Sequence, residues 1–282
     1  MAATQRKEDE QAQFWNSSAG CAWVQAHALV DRTLQPFEDL LVEAVAASGA
    51  RRVLDVGCGT GSTTRAIARL VGATGQSVGI DISEQMIEAA RMLADRERTP
   101  ATFICDDAQT HAFAPGSFDL IMSRFGTMFF TDPVAALANL RRAGAQDARL
   151  FSIAWRSPGE NPFMTAAERA AAPLLPNLQE RRIGVAGPFG FADERRVRAI
   201  LEESGWTEID IRPIDVVCTL PEHELTRYGT RFGPVGTALR EADPQTRARV
   251  ASAVRAAFDP YVNGAEARFT ACCWIVDARC GR

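Results

Sequence analysis

Val53-Leu54-Asp55-Val56-Gly57-Cys58-Gly59-Thr60-Gly61 is an apolar run, interrupted by one acid, that breaks into glycines at alternate positions. A buried strand followed by such a turn lets the backbone reverse sharply and a ligand approach with no Cβ in the way, while the next helix opens at its amino end. A dinucleotide needs the same geometry. Here, however, the spacing is G-x-G-x-G and not G-x-G-x-x-G, and Asp55 sits where a pyrophosphate would be repelled. A ligand that presents an ammonium suits this carboxylate better. The turn alone leaves a dinucleotide oxidoreductase open, because glycine-rich turns recur across doubly wound folds.

Two further acids follow short apolar runs. Gln76-Ser77-Val78-Gly79-Ile80-Asp81 reads as a second strand, and Asp81 falls twenty positions after Gly61. That spacing suits a carboxylate that accepts the ribose hydroxyls of an adenosine. Asp81 also stands near the start of a helix over 83–95, where a residue of the N-cap region would serve the helix alone. Phe103-Ile104-Cys105-Asp106-Asp107-Ala108 offers the third acid. Asp107 can accept the adenine amino group while a backbone N–H meets the ring, whereas Asp106 reads as a solvated loop residue.

With these motifs in order, and with Gly116-Ser117-Phe118-Asp119-Leu120-Ile121-Met122-Ser123-Arg124-Phe125-Gly126 after them, the chain resembles the UbiE/Coq5-type class I methyltransferases dependent on S-adenosylmethionine. The likeness covers nearly the whole chain. It is strongest to a small-molecule subgroup sharing Phe14-Trp15-Asn16, Gly20, Trp23-Val24, Trp155-Arg156, Glu160-Asn161-Pro162, Gly187-Pro188-Phe189 and Phe191-Ala192-Asp193. The resemblance implies S-adenosylmethionine as cofactor, S-adenosylhomocysteine as product, and a cofactor site of Asp55, Gly57, Cys58, Gly59, Gly61, Asp81, Ile82, Met86, Asp107, Ala108, Arg124 and Phe125. Two departures stand out. Gln146-Asp147-Ala148 replaces the usual Pro-Gly-Gly, and His27 stands where glutamine or another polar residue is more usual.

Composition narrows the alternatives. Lys7 is the only lysine among 31 basic residues, so no lysine is available in the body of the chain for a P-loop, a Schiff base or a Tyr-x-x-x-Lys hydride-transfer site. The net charge of -4, without an arginine stripe interleaved with aromatics, argues against a nucleic-acid substrate. No window offers the ~20 apolar residues of a membrane span, and the polar start lacks a signal-peptide core, so a cytoplasmic location is expected. Seven cysteines without a C-x-x-C pair fit reduced thiols, and no metal site is expected. Cys58 reads as a small residue in a tight turn.

The order of elements predicts an α/β fold: a doubly wound, Rossmann-like, seven-stranded sheet, mostly parallel with the last strand antiparallel, under helical cap and lid insertions. Helical sequence over 7–47 lies before the first strand. Strands are expected at 52–56, 76–81, 101–106, 118–123, 149–155, 206–219 and 267–278, and helices at 61–71, 83–95, 133–143 and 193–204. Proline-bearing helical sequence is expected from 156 to 188. The units are then 1–47 as cap, 48–155 as cofactor-binding core, 156–190 as first lid, 191–220 as core continued, 221–264 as second helical lid and 265–282 as final strand.

Cap and lids should meet above the carboxyl ends of the strands. Trp15, Trp23, Met128, Phe129, Trp155, Phe163, Phe232 and Tyr261 are candidates for the wall of an acceptor pocket, which would favour a small aromatic or polyketide-like molecule. Direct SN2 transfer to O, N or C needs chiefly alignment and exclusion of water, with a base only where the acceptor must lose a proton early. His27, His223 and Tyr228 are the candidates for that base. A rearrangement assisted by the cationic cofactor, or an NAD-linked oxidoreductase, are the rival activities. The expected partner is the small-molecule acceptor, with no nucleic acid and no membrane, in a monomer or homodimer.

Overall fold

The computed structural model describes residues 10–179 and 181–281, so Lys7 and the expected helical start at residue 7 lie outside the described residues. Five parallel strands, β1 (Arg52–Val56), β2 (Gln76–Asp81), β3 (Thr102–Cys105), β4 (Phe118–Arg124) and β5 (Gly144–Trp155), are ordered β3-β2-β1-β4-β5. The sheet continues through β8 (Glu266–Cys280) to β6 (Trp206–Pro221), with β8 antiparallel to both neighbours. Strand order therefore reverses between β1 and β4. Crossovers that are right-handed put the helices of the two halves on opposite faces, and the crevice between them opens at the carboxyl ends of β1 and β4.

An eighth, two-residue strand, β7 (Val262–Asn263), pairs with the start of β8. The second insertion, expected to be helical to 264, thus ends in a hairpin. The first insertion departs further. Among the described residues only Ala166–Ala171 is α-helical there, preceded by a single turn at Pro162–Thr165. Most of the described residues from 172 to 190 form turns and bends, where Pro173, Pro176, Gly184, Gly187 and Pro188 interrupt any helical run. The cap is also broken into helices at Ser18–Gln25, His27–Thr33 and Gln35–Ser48.

The unusual Gln146-Asp147-Ala148 lies inside β5 at an irregularity rather than in a turn before it, and its residue type has a physical reason. Asp147 adopts φ 59, a conformation that glycine takes freely and aspartate tolerates better than most. The register of β4 against β5 shifts over this stretch, from Phe118–Gly144 to Leu120–Arg149, so β5 begins at Gly144 rather than 149. Asn161 explains another shared motif. Its side-chain amide accepts from the Cys272 amide at 2.9 Å and donates to the Cys272 carbonyl at 2.9 Å, clipping the first insertion to β8.

One continuous hydrophobic core joins cap, sheet and lids. It includes Phe37 and Leu41 of the cap, Leu54, Ile121 and Ile153 of the sheet, and Leu225, Val250 and Phe258 of the second insertion. The insertions are therefore seated on the sheet by buried apolar area, worth about 25 cal/mol per Å². All seven cysteines are free thiols.

Candidate functional site

Gly57 and Gly126 meet at the reversal of strand order. A Cβ on Gly57 would fall 2.7 Å from the Gly126 Cα, and one on Gly126 would fall 2.4 Å from the Val56 carbonyl oxygen. Two bare backbones are therefore needed to bring the turn after β1 against the turn after β4. Phe125, just before Gly126, adopts φ 64 and stacks on Trp155 at 4.2 Å with an interplanar angle of 5°. A non-glycine residue in this region is strained, and such strain gathers at functional sites.

Gly59 differs from Gly57. Its φ is 55, but among the described residues a Cβ there would meet only Met86 Sδ at 3.7 Å. Its bareness faces open cavity, where a ligand can approach the backbone. Its amide donates to Asp81 Oδ2 at 2.8 Å, and the Ser83 amide donates to Asp81 Oδ1 at 2.9 Å. Both carboxylate oxygens are thus fixed while keeping lone pairs that can accept hydroxyls. Asp81 also performs the helix-entry role weighed against this one, since the Ser83 contact is of that kind. Burial pushes its carboxyl up, against these amide bonds.

Asp55 is buried, accepts from Thr64 Oγ1 at 2.7 Å, and is pushed up to about 6 chiefly by burial. Cys58 is likewise buried beside Gly79, where a Cβ would fall 2.7 Å from its Sγ, so only a small residue fits. Asp107 is half-buried, accepts from the Gln109 amide at 2.9 Å, and is raised by burial. Asp106 is exposed and holds His111 Nδ1 at 2.7 Å.

The Phe14-Trp15-Asn16 motif stitches the cap to this loop. Asn16 Oδ1 accepts from the Glu84 amide at 2.8 Å, Asn16 Nδ2 donates to the Ile82 carbonyl at 3.1 Å, and Ser83 Oγ donates to the Trp15 carbonyl at 2.9 Å. Gly20 is needed there, because its Cβ would fall 2.0 Å from that same carbonyl.

A cavity of about 1130 Å³ runs from these turns to the insertions. Asp55, Gly57, Cys58, Gly59, Asp81, Ile82, Met86, Asp107, Ala108, Arg124 and Phe125 line it, with Trp15, Trp23, His27, Met128, Phe129, Trp155, Phe163, Tyr228 and Phe232. Three sequence-chosen residues do not. Gly61 starts the helix Ser62–Val71 and faces Phe103, whose ring a Cβ would meet at 2.5 Å. His223 is exposed on a single turn at Glu222–Glu224, and Tyr261 packs against Phe258 at 6.0 Å. One aromatic wall is continuous: Phe129 lies 5.3 Å from Trp15, Trp15 6.2 Å from Trp23, and Trp23 4.9 Å from Phe232.

The cap also brings in acids that spacing did not single out. Asp31 Oδ1 lies 3.5 Å from Arg124 Nη2, and Glu38 Oε2 lies 3.8 Å from Arg124 Nη1 and accepts from Ser62. Burial raises the Asp31 carboxyl, with the Arg124 guanidinium opposing. The only signal for Asp31 was its place four residues after His27, on one helix face. His27 Nδ1 lies 2.8 Å from the Val24 carbonyl. A carbonyl only accepts, so Nδ1 carries the proton and Nε2 of the neutral ring is left as an acceptor.

A methyltransferase-domain family model matches residues 53–147. The chain is 36% identical over 153 residues to aklanonic acid methyltransferase DauC of Streptomyces sp. (strain C5), covering 52% of this chain and 68% of the relative. It is 25% identical over 222 residues to demethylmenaquinone methyltransferase of Renibacterium salmoninarum, covering 76% and 91%. In structure it resembles YcgJ of Bacillus subtilis, with a TM-score of 0.57 at 17% identity over 87% of this chain and 98% of that one. It also resembles the [4+2]-cyclase SpnF, with 0.52 at 18% identity over 86% and 79%. The last two likenesses are of fold.

Proposed function

The chain belongs to the class I S-adenosylmethionine-dependent methyltransferases, and from this we propose that it methylates O, N or C of a small aromatic or polyketide-like acceptor. One observation carries the proposal: a single cavity joins the glycine turn and Asp81 to the aromatic wall of Trp15, Trp23 and Phe232. Cofactor and acceptor can share it without a change of fold.

The residues fit the cofactor. The space beside Gly59 would be filled by a Cβ, and Asp81 is held ready by two amides to accept ribose hydroxyls. Asp107 lines the cavity and would accept an amino group, and Asp55 would face an ammonium, whose charge would lower its raised carboxyl. When bound, the cofactor supplies an electrophilic methyl on a cationic sulfur. The chain's own task is to align the acceptor and keep water out, and the apolar rings that cap and lid contribute to the cavity suit that task.

For an acceptor that must lose a proton, His27 is the base we favour, because it lines the cavity and the Val24 carbonyl engages only its Nδ1. Tyr228 is pushed up to about 12 by burial and stays protonated, so it serves as a donor. His223 lies away from the cavity. The relatives' names support the acceptor class, one referring to aklanonic acid and another to demethylmenaquinone.

The test pairs calorimetry with product mass. S-adenosylhomocysteine should bind, and Asp81→Ala should weaken it by about 1.5–3 kcal/mol with the fold retained. Incubation with S-adenosylmethionine and a panel of phenols, hydroxynaphthoquinones and aromatic acids should give a product heavier by one methylene. A product isomeric with its substrate would instead establish the rearrangement, and unchanged affinity in Asp81→Ala would remove that residue from the ribose.

A further inference from the structure

We infer that the acceptor carries a carboxylate, or an oxygen of comparable acidity, held by Arg231 on the lid; this rests on the reading of the cavity as the acceptor chamber. Among the described residues four arginines line the cavity: Arg124, Arg181, Arg231 and Arg240. Three have their charge accounted for. Arg124 faces Asp31 and Glu38, Arg181 Nε donates to Glu168 Oε1 at 2.6 Å, and Arg240 is exposed to water.

Arg231 is different. It is partly buried, and among the described residues no carboxylate lies within ion-pair distance of it. Its Nη2 donates to Gln25 Oε1, a neutral acceptor, and its Nε is buried with no partner among the described residues. A guanidinium has five donors in a planar fork, and one amide oxygen leaves most of them unused. Removing such a group from water without a compensating anion is unfavourable, and a carboxylate that can bind it bidentately relieves this.

The surroundings hold the fork still and say what the anion is attached to. Gln25 ends the cap helix Ser18–Gln25, and its carbonyl accepts from Arg227 Nη2 at 3.1 Å, so the cap pins the same turn of the lid helix Leu225–Arg231. The next residue, Phe232, packs on Trp23 at 4.9 Å and on Tyr228 at 5.8 Å. A cation fixed at the edge of an aromatic wall matches a flat ring system bearing an acid.

The experiment uses the full chain saturated with S-adenosylhomocysteine, titrated by tryptophan fluorescence with anthracene-2-carboxylate and with anthracene-2-carboxamide. The carboxylate should bind at least about tenfold more tightly than the amide, the scale of a hydrogen-bonded charge. Arg231→Gln should abolish that preference, Arg231→Lys should keep part of it, and both should bind S-adenosylhomocysteine as the unaltered chain does. Equal affinities for the two probes in the unaltered chain, binding of neither, or a preference that survives Arg231→Gln would each overturn the inference. Failure of the unaltered chain to bind S-adenosylhomocysteine would remove the premise as well. Normal binding with no preference defeats the acid alone.

Discussion

The two ends of the cavity are built by different means. At the strand ends, position is set by backbone: Gly57 lies against Gly126, and Asp81 is fixed by the amides of Gly59 and Ser83. At the lid end, position is set by side chains from segments far apart, with Trp15 and Trp23 of the cap meeting Phe129 after β4 and Phe232 of the second insertion. Close backbone contacts leave no room for another residue type. A wall of rings can be repacked while the sheet stays as it is, so one cofactor end can be combined with many acceptor ends.

The sharpest way to break this comparison is Gly57→Ala. Alanine at φ 69 costs about 1–2 kcal/mol, and its Cβ, 2.7 Å from the Gly126 Cα, adds about 1–3 kcal/mol of overpacking. Urea denaturation should therefore show a loss of about 2–5 kcal/mol, with S-adenosylhomocysteine binding lost as the two turns separate. A loss near zero, with binding intact, would mean that backbone contact does not hold this end together.

The same difference explains what could be read from sequence. Alternate glycines, and acids at the ends of apolar runs, are local patterns with one geometric solution, so β1 to β5, the antiparallel β8 and the cavity-lining set from Asp55 to Phe125 were legible. Gly61 was the exception, because the third glycine relieves packing on Phe103 and leaves the cavity to the other two. Asp31, Glu38 and Arg231 were not legible. Each acquires its meaning from a residue at long range: Arg124 for the two acids, and Gln25 for Arg231. Helical sequence from 156 to 188 was over-read for a related reason, since alanine content favours helix locally while prolines and glycines decide where it stops. Tyr261 and His223 had suitable chemistry, but their segments turn away from the cavity.

Asp55→Asn sharpens the comparison by separating binding from stability within the cofactor end. The native carboxyl is raised to about 6 from 3.8, so between those values the folded state holds more protons than the unfolded one. Its ionisation therefore lowers stability as pH rises through this window, fully above about 6 and not at all below 3.8. Asparagine never ionises and can still accept from Thr64. At about pH 7.5 the variant should be more stable by up to about 3 kcal/mol, from roughly two units at 1.36 kcal/mol each, and the gain should vanish in acid. If Asp55 faces the ammonium, S-adenosylhomocysteine affinity of the unaltered chain should weaken as pH falls through about 6. The variant should bind more weakly and without that pH dependence. A pH-dependent affinity that persists in Asp55→Asn would assign the titration to another group.

Tyr228→Phe has the smallest expected effect and probes the acceptor end alone. Burial holds the Tyr228 hydroxyl near 12, with the Arg181 guanidinium opposing, so it is a proton donor throughout the neutral range. Its ring packs on Phe232 at 5.8 Å and Phe258 at 6.4 Å, contacts that phenylalanine keeps. Stability should change by no more than about 1 kcal/mol, and cofactor affinity should not change. With a turned-over acceptor, KM should rise by about tenfold at most, the worth of one hydrogen bond, and the pH profile of kcat should keep its shape. A base lost at this position would instead remove a limb of that profile and lower kcat with little change in KM. The burial that makes Tyr228 part of the wall is also what keeps its proton in place. A lost limb would mean that the hydroxyl meets water or a cation in the working enzyme, and the aromatic wall would have to open before the acceptor reacts.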